Sequence, residues 1–155
     1  MKLIKNIAIA LILLFGGMLQ AQTWDNKTYD EDIATVILQK DIDIYDPVPI
    51  INLNGGDKLI LSFDMLKSEN EFFNYTIMHC DRNWAKSNLQ TMEYLNGNNM
   101  GEITNFKFST NTFQKYTHYT LRFPNQDMKI TKSGNYILKV FRNFEEEELV
   151  LTRRF

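Results

Sequence analysis

Residues 74–89, NYTIMHCDRNWAKSNL, set His79 beside Cys80, the single cysteine of the chain, with Arg82 and Trp84 close behind. A thiol in contact with an imidazole is a candidate nucleophile pair, and with further donors the two could hold zinc. The spacing argues against both. On an extended strand adjacent side chains leave opposite faces, so the pair cannot close on one ion or share one proton. The chain has two histidines and one cysteine, too few for a Cys/His zinc framework. A Cys-His pair also needs a third group to orient the base, which strand neighbours do not supply. The expectation is therefore a buried Cys80 and a hydrogen-bonded His79 at a strand end. Trp84, in the polar turn DRNW, is expected to cap one end of the core.

Other chemistry-bearing residues are as sparse. In DIDIYDP, residues 41–47, an extended chain would put Asp41 and Asp43 on one face. Glycosidases need carboxylates on opposed sides of a cleft, and calcium loops bring more oxygens and a turn glycine. A charged sheet edge that resists pairing fits the pair better. The acidic run Glu145–Glu148 reads as a solvated turn. Asn26-Lys27-Thr28 and Asn74-Tyr75-Thr76 match the glycosylation sequon, which matters only in a eukaryotic pathway. There is no Gly-rich phosphate loop and no Ser/His/Asp pattern. No catalytic, cofactor-binding or metal-binding residue is assigned, and no cofactor is expected.

The ends and the charge balance bound where such a chain works. Residues 1–21 open with Lys2 and Lys5, run apolar from Ile7 to Phe15, and close on Leu19-Gln20-Ala21. That is the three-part pattern of a secretory signal peptide. The apolar run is interrupted by Gly16-Gly17 and followed by polar sequence, which argues against a spanning anchor. Export to the periplasm is expected, with cleavage after Ala21. The whole chain has 17 basic and 19 acidic residues, and loss of Lys2 and Lys5 makes the remainder more acidic. Scattered lysines and arginines in an acidic chain exclude nucleic acid as a partner. Aromatics at 13% and few Pro and Gly argue for a folded domain with a sizeable core.

What must position these residues is a set of strands. Leu59, Leu61, Phe63 and Met65 recur at every second position, as do Tyr75, Ile77 and His79. Tyr119, Leu121 and Phe123 repeat the rhythm, and so do Tyr136, Leu138 and Val140. Period two in β-branched and aromatic residues predicts half-buried strands. Turn residues at Asn54-Gly55-Gly56-Asp57, Pro124-Asn125 and Ser133-Gly134-Asn135 separate them. Strands are predicted near 34–39, 57–66, 72–80, 103–109, 116–123, 135–142 and 148–154. Pro47 and Pro49 demote 46–53 to an edge strand or loop. Residues 84–95 hint at a helical turn and are left irregular. About seven strands predict an all-β, immunoglobulin-like or fibronectin-III-like antiparallel sandwich. Residues 22–28 are assigned as a short linker and 29–155 as the domain. SGNYILKV, residues 133–140, fits a tyrosine corner, with Gly134 in the turn and Tyr136 supplying the hydroxyl. A β-turn followed by an ordinary core tyrosine fits nearly as well.

Four stretches together carry a family resemblance: YTIMHCDRNWAKSNLQTMEYLNG (75–97), YTHYTLRFPN (116–125), SGNYILKVF (133–141) and LTRRF (151–155). They resemble the N-terminal domain of the type IX secretion system plug protein, from about Tyr29 to Phe155. The chain departs from the family pattern at Asn98, where members carry an aromatic. Members also continue past the RRF motif, so a first domain of a longer protein is expected. The resemblance implies a non-enzymatic periplasmic subunit whose partner is the outer-membrane translocon barrel. It implies occlusion of the barrel's periplasmic mouth, with no membrane insertion and no small-molecule substrate. A secreted carbohydrate-binding or adhesive module is the alternative. That would require aromatics such as Trp84, Tyr116 or Tyr119 on an exposed flat platform.

Overall fold

Alternating side chains build the first layer of the sandwich. In β3 (Leu59–Met65) the four residues Leu59, Leu61, Phe63 and Met65 have no exposed surface, while Ile60, Ser62 and Asp64 between them are half-buried. In β8 (Thr117–Phe123) the buried set is Thr117, Tyr119, Leu121 and Phe123. β2 (Ile33–Lys40) and β7 (Asn105–Phe108) flank them, giving an antiparallel sheet ordered β2-β3-β8-β7. The computed structural model describes residues 22–42 and 47–155. The leader expected over 1–21 lies outside the described residues, as does Asp43.

The second layer is built on β4 (Phe73–Cys80), β10 (Asn135–Arg142) and β11 (Leu149–Arg154), with β1 (Lys27–Thr28) and β6 (Gly101–Glu102) at its margins. Its order is β1-β11-β10-β4-β6. Four strands in sequence positions A, B, E and D facing three in positions C, F and G is the immunoglobulin constant-type arrangement. A short pair, β5 (Leu95–Gly97) with β9 (Met128–Ile130), closes one end. Between the layers Phe63 stacks on Tyr119 at 5.2 Å, and Phe73 meets both edge-on at 5.3 and 4.8 Å. Burying side chains of this size stabilises the fold by about 1.5–3 kcal/mol each.

All seven predicted strands form, within two residues of their expected ends. Residues 47–53 form no strand, as Pro47 and Pro49 require. The stretch 84–95, left irregular, holds one helical turn, α1 (Thr91–Tyr94), whose first turn closes when Gln90 N donates to Glu93 Oε2 at 2.7 Å. The linker assignment for 22–28 is corrected. β4 and β10 are buried on both faces, so the outward Met78, Cys80 and Ile137 need a cover. Trp24 and Trp84 supply it. The N-terminal segment is held there by pairing of Lys27 with Thr152, and by Thr152 Oγ1 donating to Asp25 O at 2.7 Å.

Candidate functional site

His79 points into the sandwich and Cys80 out of it, as an extended β4 dictates. His79 Nδ1 lies 2.9 Å from Ser87 Oγ, and its ring stands edge-on to Tyr136 at 5.0 Å. Its Nε2 is buried without a partner among the described residues and faces Gly134 so closely that a Cβ there would strike it. Cys80 is buried in the satellite cluster with Met78 and Ile137. Burial, with the Asp81 carboxylate next door, pushes its thiol up to about 11. A protonated thiol on one face and an imidazole on the other make neither a nucleophile pair nor a metal site. Among the described residues no three Asp, Glu, His or Cys side chains converge as metal ligands do.

Trp84 is held by its turn. Asp81 Oδ1 accepts from Asn83 N and Ala85 N, and Trp84 N donates to Asp81 O, which forces Trp84 to a φ of +63°. Its ring lies under the Arg154 guanidinium at 4.5 Å, while Trp24 carries Lys139 at 4.4 Å. Trp24 N donates to Trp84 O, and Arg154 Nε donates to Trp24 O at 2.8 Å. Two indoles, each under a cation, seal the outer face of the β4–β10 pair. The platform required by the alternative reading does not form, because Tyr119 is 0% exposed and Tyr116 and Trp84 are half-buried. Asp41 pairs with Arg122 at 2.9 Å, and the Glu145–Glu148 turn is solvated, with Glu146 reaching Lys139 at 3.3 Å. Asn74 is 0% exposed, which removes its sequon from consideration in the folded chain. The Tyr136 hydroxyl donates to Lys132 O at 2.5 Å and completes the tyrosine corner.

The two ends of the sandwich differ in chemistry. At one end lie the loops 29–32, 66–72, 109–116 and 143–148. Arg142 joins three of them, pairing with Asp30 at 2.5 Å and Glu71 at 2.6 Å, and Gln114 Nε2 donates to Leu66 O to hold the fourth. These loops expose Phe72 at 62%, Phe113 at 112% and Phe144 at 66%, among the carboxylates of Glu69 and Glu145–Glu148. Large exposed aromatics on three loops at one end make that end the candidate interaction surface. The other end holds an apolar cleft of about 810 Å³ between the 49–58 and 124–136 segments.

The family model described as type 9 secretion system plug protein, first domain, matches residues 33–155. The chain belongs to this family. No curated protein matches it. A crystal structure of a hypothetical protein from Parabacteroides merdae ATCC 43184 superposes with a TM-score of 0.82 at 28% identity. The match covers 86% of this chain and 34% of that one, so the chain spans about a third of that protein. No described helix is long and apolar enough to cross a membrane.

This candidate surface was only partly legible in the sequence. Phe113 in STNTFQKY and Phe144 in NFEEEE are lone aromatics inside polar loops, a signal available without coordinates. Arg142 gave none, because its partners Asp30 and Glu71 lie far away in sequence.

Proposed function

We propose that the domain is an exported periplasmic plug that docks on the outer-membrane translocon barrel of the type IX pathway and occludes its periplasmic mouth. Family membership over residues 33–155 carries this reading. The aromatic-acidic end supports it: a two-layer body presents Phe72 and Phe144 on loops tied together by Arg142, and Phe113 on a loop that Gln114 ties to Leu66. Rigid presentation limits the entropy lost on docking. Residues 1–21 direct export and are removed, and the described sandwich is the first domain of the plug. The domain performs no catalysis, binds no nucleic acid and does not insert into the bilayer. Release on cargo arrival requires that the cargo-free barrel bind the plug more tightly than the loaded one. A nearly complete switch needs a differential of about 10⁴-fold.

Single-cysteine cross-linking in cells tests the reading. Cys80 is buried, so a reporter at Phe113→Cys or Phe72→Cys works against a silent background. The expected result is a cross-link to the barrel, together with envelope leakage to small solutes when the gene is deleted. Unchanged permeability after deletion, or barrel recovered free of cross-link from both reporters, refutes it.

A further inference from the structure

The cleft at the opposite end is unused by this docking. It opens where β10 begins and β11 ends, beneath the 49–58 loop. Its apolar wall is continuous with the core: the Phe155 ring stacks on Tyr136 at 5.3 Å and meets Phe123 edge-on at 5.2 Å. Ile50 and Leu53 stand exposed on the loop above. A concavity of about 810 Å³ accommodates several side chains of a bound segment. The rim is cationic. Lys58, Lys129 and Lys132 line it, are exposed, and have no carboxylate partner among the described residues. Among the described residues Asp57 is the one acid in the lining, and its Oδ2 accepts from Asn52 N and Nδ2 at 3.0 and 2.9 Å.

Three exposed lysines with no carboxylate partner among the described residues ring one apolar trough. Placed apart they would be ordinary solvated side chains. Placed around one cavity they raise its potential together and favour a ligand with apolar side chains between carboxylates. The edges of the trough also offer Gln126 and the Oδ1 of Asn135, groups that can accept from a peptide N–H. A fatty acid would use the apolar wall and one lysine, leaving two lysines and both amides idle. We infer that the cleft is a docking site for an acidic, apolar peptide segment of a partner protein. Such a site lets the domain hold a second component at the end facing away from the barrel.

The test is calorimetric titration of the purified protein with three capped tetrapeptides: Asp-Leu-Phe-Asp, Asn-Leu-Phe-Asn and Lys-Leu-Phe-Lys. Laurate serves as a competitor. The acidic peptide is expected to bind about tenfold tighter than its amide counterpart, the size of two or three exposed ion pairs. That preference shrinks at about 0.5 M salt. The double variant Lys129→Glu with Lys132→Glu, at surface positions that leave the fold intact, is expected to prefer the basic peptide. Equal affinity for all three peptides overturns the inference, as does absence of binding at about 1 mM peptide. Displacement by laurate at lower concentration than the peptide assigns the cleft to an acyl chain instead. A dimer that the double variant dissolves assigns it to a second copy. Because these readouts involve no barrel, failure here leaves the plug reading standing, and failure of the cross-link leaves the cleft result standing.

Discussion

Replacing Arg142 by methionine removes the cation that ties three loops while keeping an apolar stem against Phe73, over which the guanidinium now sits at 5.4 Å. The change strands Asp30 and Glu71, whose side chains are 17% and 23% exposed. Orphaning a fully buried carboxylate costs about 3–5 kcal/mol, and losing a fully exposed pair about 0–1. At this intermediate exposure a loss of about 2–3 kcal/mol is expected, lowering Tm by about 6–12 °C. Burial by itself would raise the Asp30 pKa, but the Asp32 N–H and the Arg142 guanidinium outweigh it and hold the group below 3.8. The unfolded chain therefore binds the proton first as pH falls. This contribution is fully present well above pH 3.8 and is lost as pH drops through the lowered native value. Urea denaturation of parent and Arg142→Met at several pH values is the assay, with a double-mutant cycle against Glu71→Gln. A coupling of about 1–2 kcal/mol and a flatter acid limb in the variant are expected. A variant within about 0.5 kcal/mol of the parent, or zero coupling, refutes the clamp.

Cys80, buried and with its thiol pushed up by burial to about 11, is expected to resist a thiol-reactive disulfide reagent until the chain unfolds. Labelling in native buffer at the rate of a free thiol would contradict that. Tyr136→Phe removes the hydroxyl that donates to Lys132 O and is expected to cost about 1 kcal/mol in thermal or urea unfolding. Unchanged stability would reduce the corner to ordinary packing. Gly134→Ala drives a methyl into His79 Nε2 and is expected to cost about 1–3 kcal/mol, and His79→Ala is expected to relieve most of the penalty in the double variant. Phe113→Asp is expected to leave stability within about 0.5 kcal/mol, since the ring is fully exposed, while abolishing recovery of the barrel with the plug domain.

Most of the framework was readable because its signals are local. Period-two runs such as Leu59–Met65 declare a strand with one buried face, and Ser133-Gly134-Asn135 declares the corner that precedes Tyr136. The opposed directions of His79 and Cys80 also follow from local geometry. The short strands β1, β5, β6 and β9 were missed, because two or three residues carry no periodicity and exist only through their partners. The N-terminal segment was misjudged for a related reason. Nothing in its own composition reveals that the outer face of β4 and β10 needs Trp24 as a cover.

Composition and spacing by themselves determined an all-β chain and the order of its main strands. Those properties depend on neighbours within a few residues. Folding decided the rest: that Arg142 meets Asp30 and Glu71, that exposed phenylalanines gather at one end, and that three lysines ring one cleft at the other. Contacts between residues tens of positions apart are set by which strands lie side by side and which loops share an end. A linear string leaves that choice open until the two sheets close on a common core.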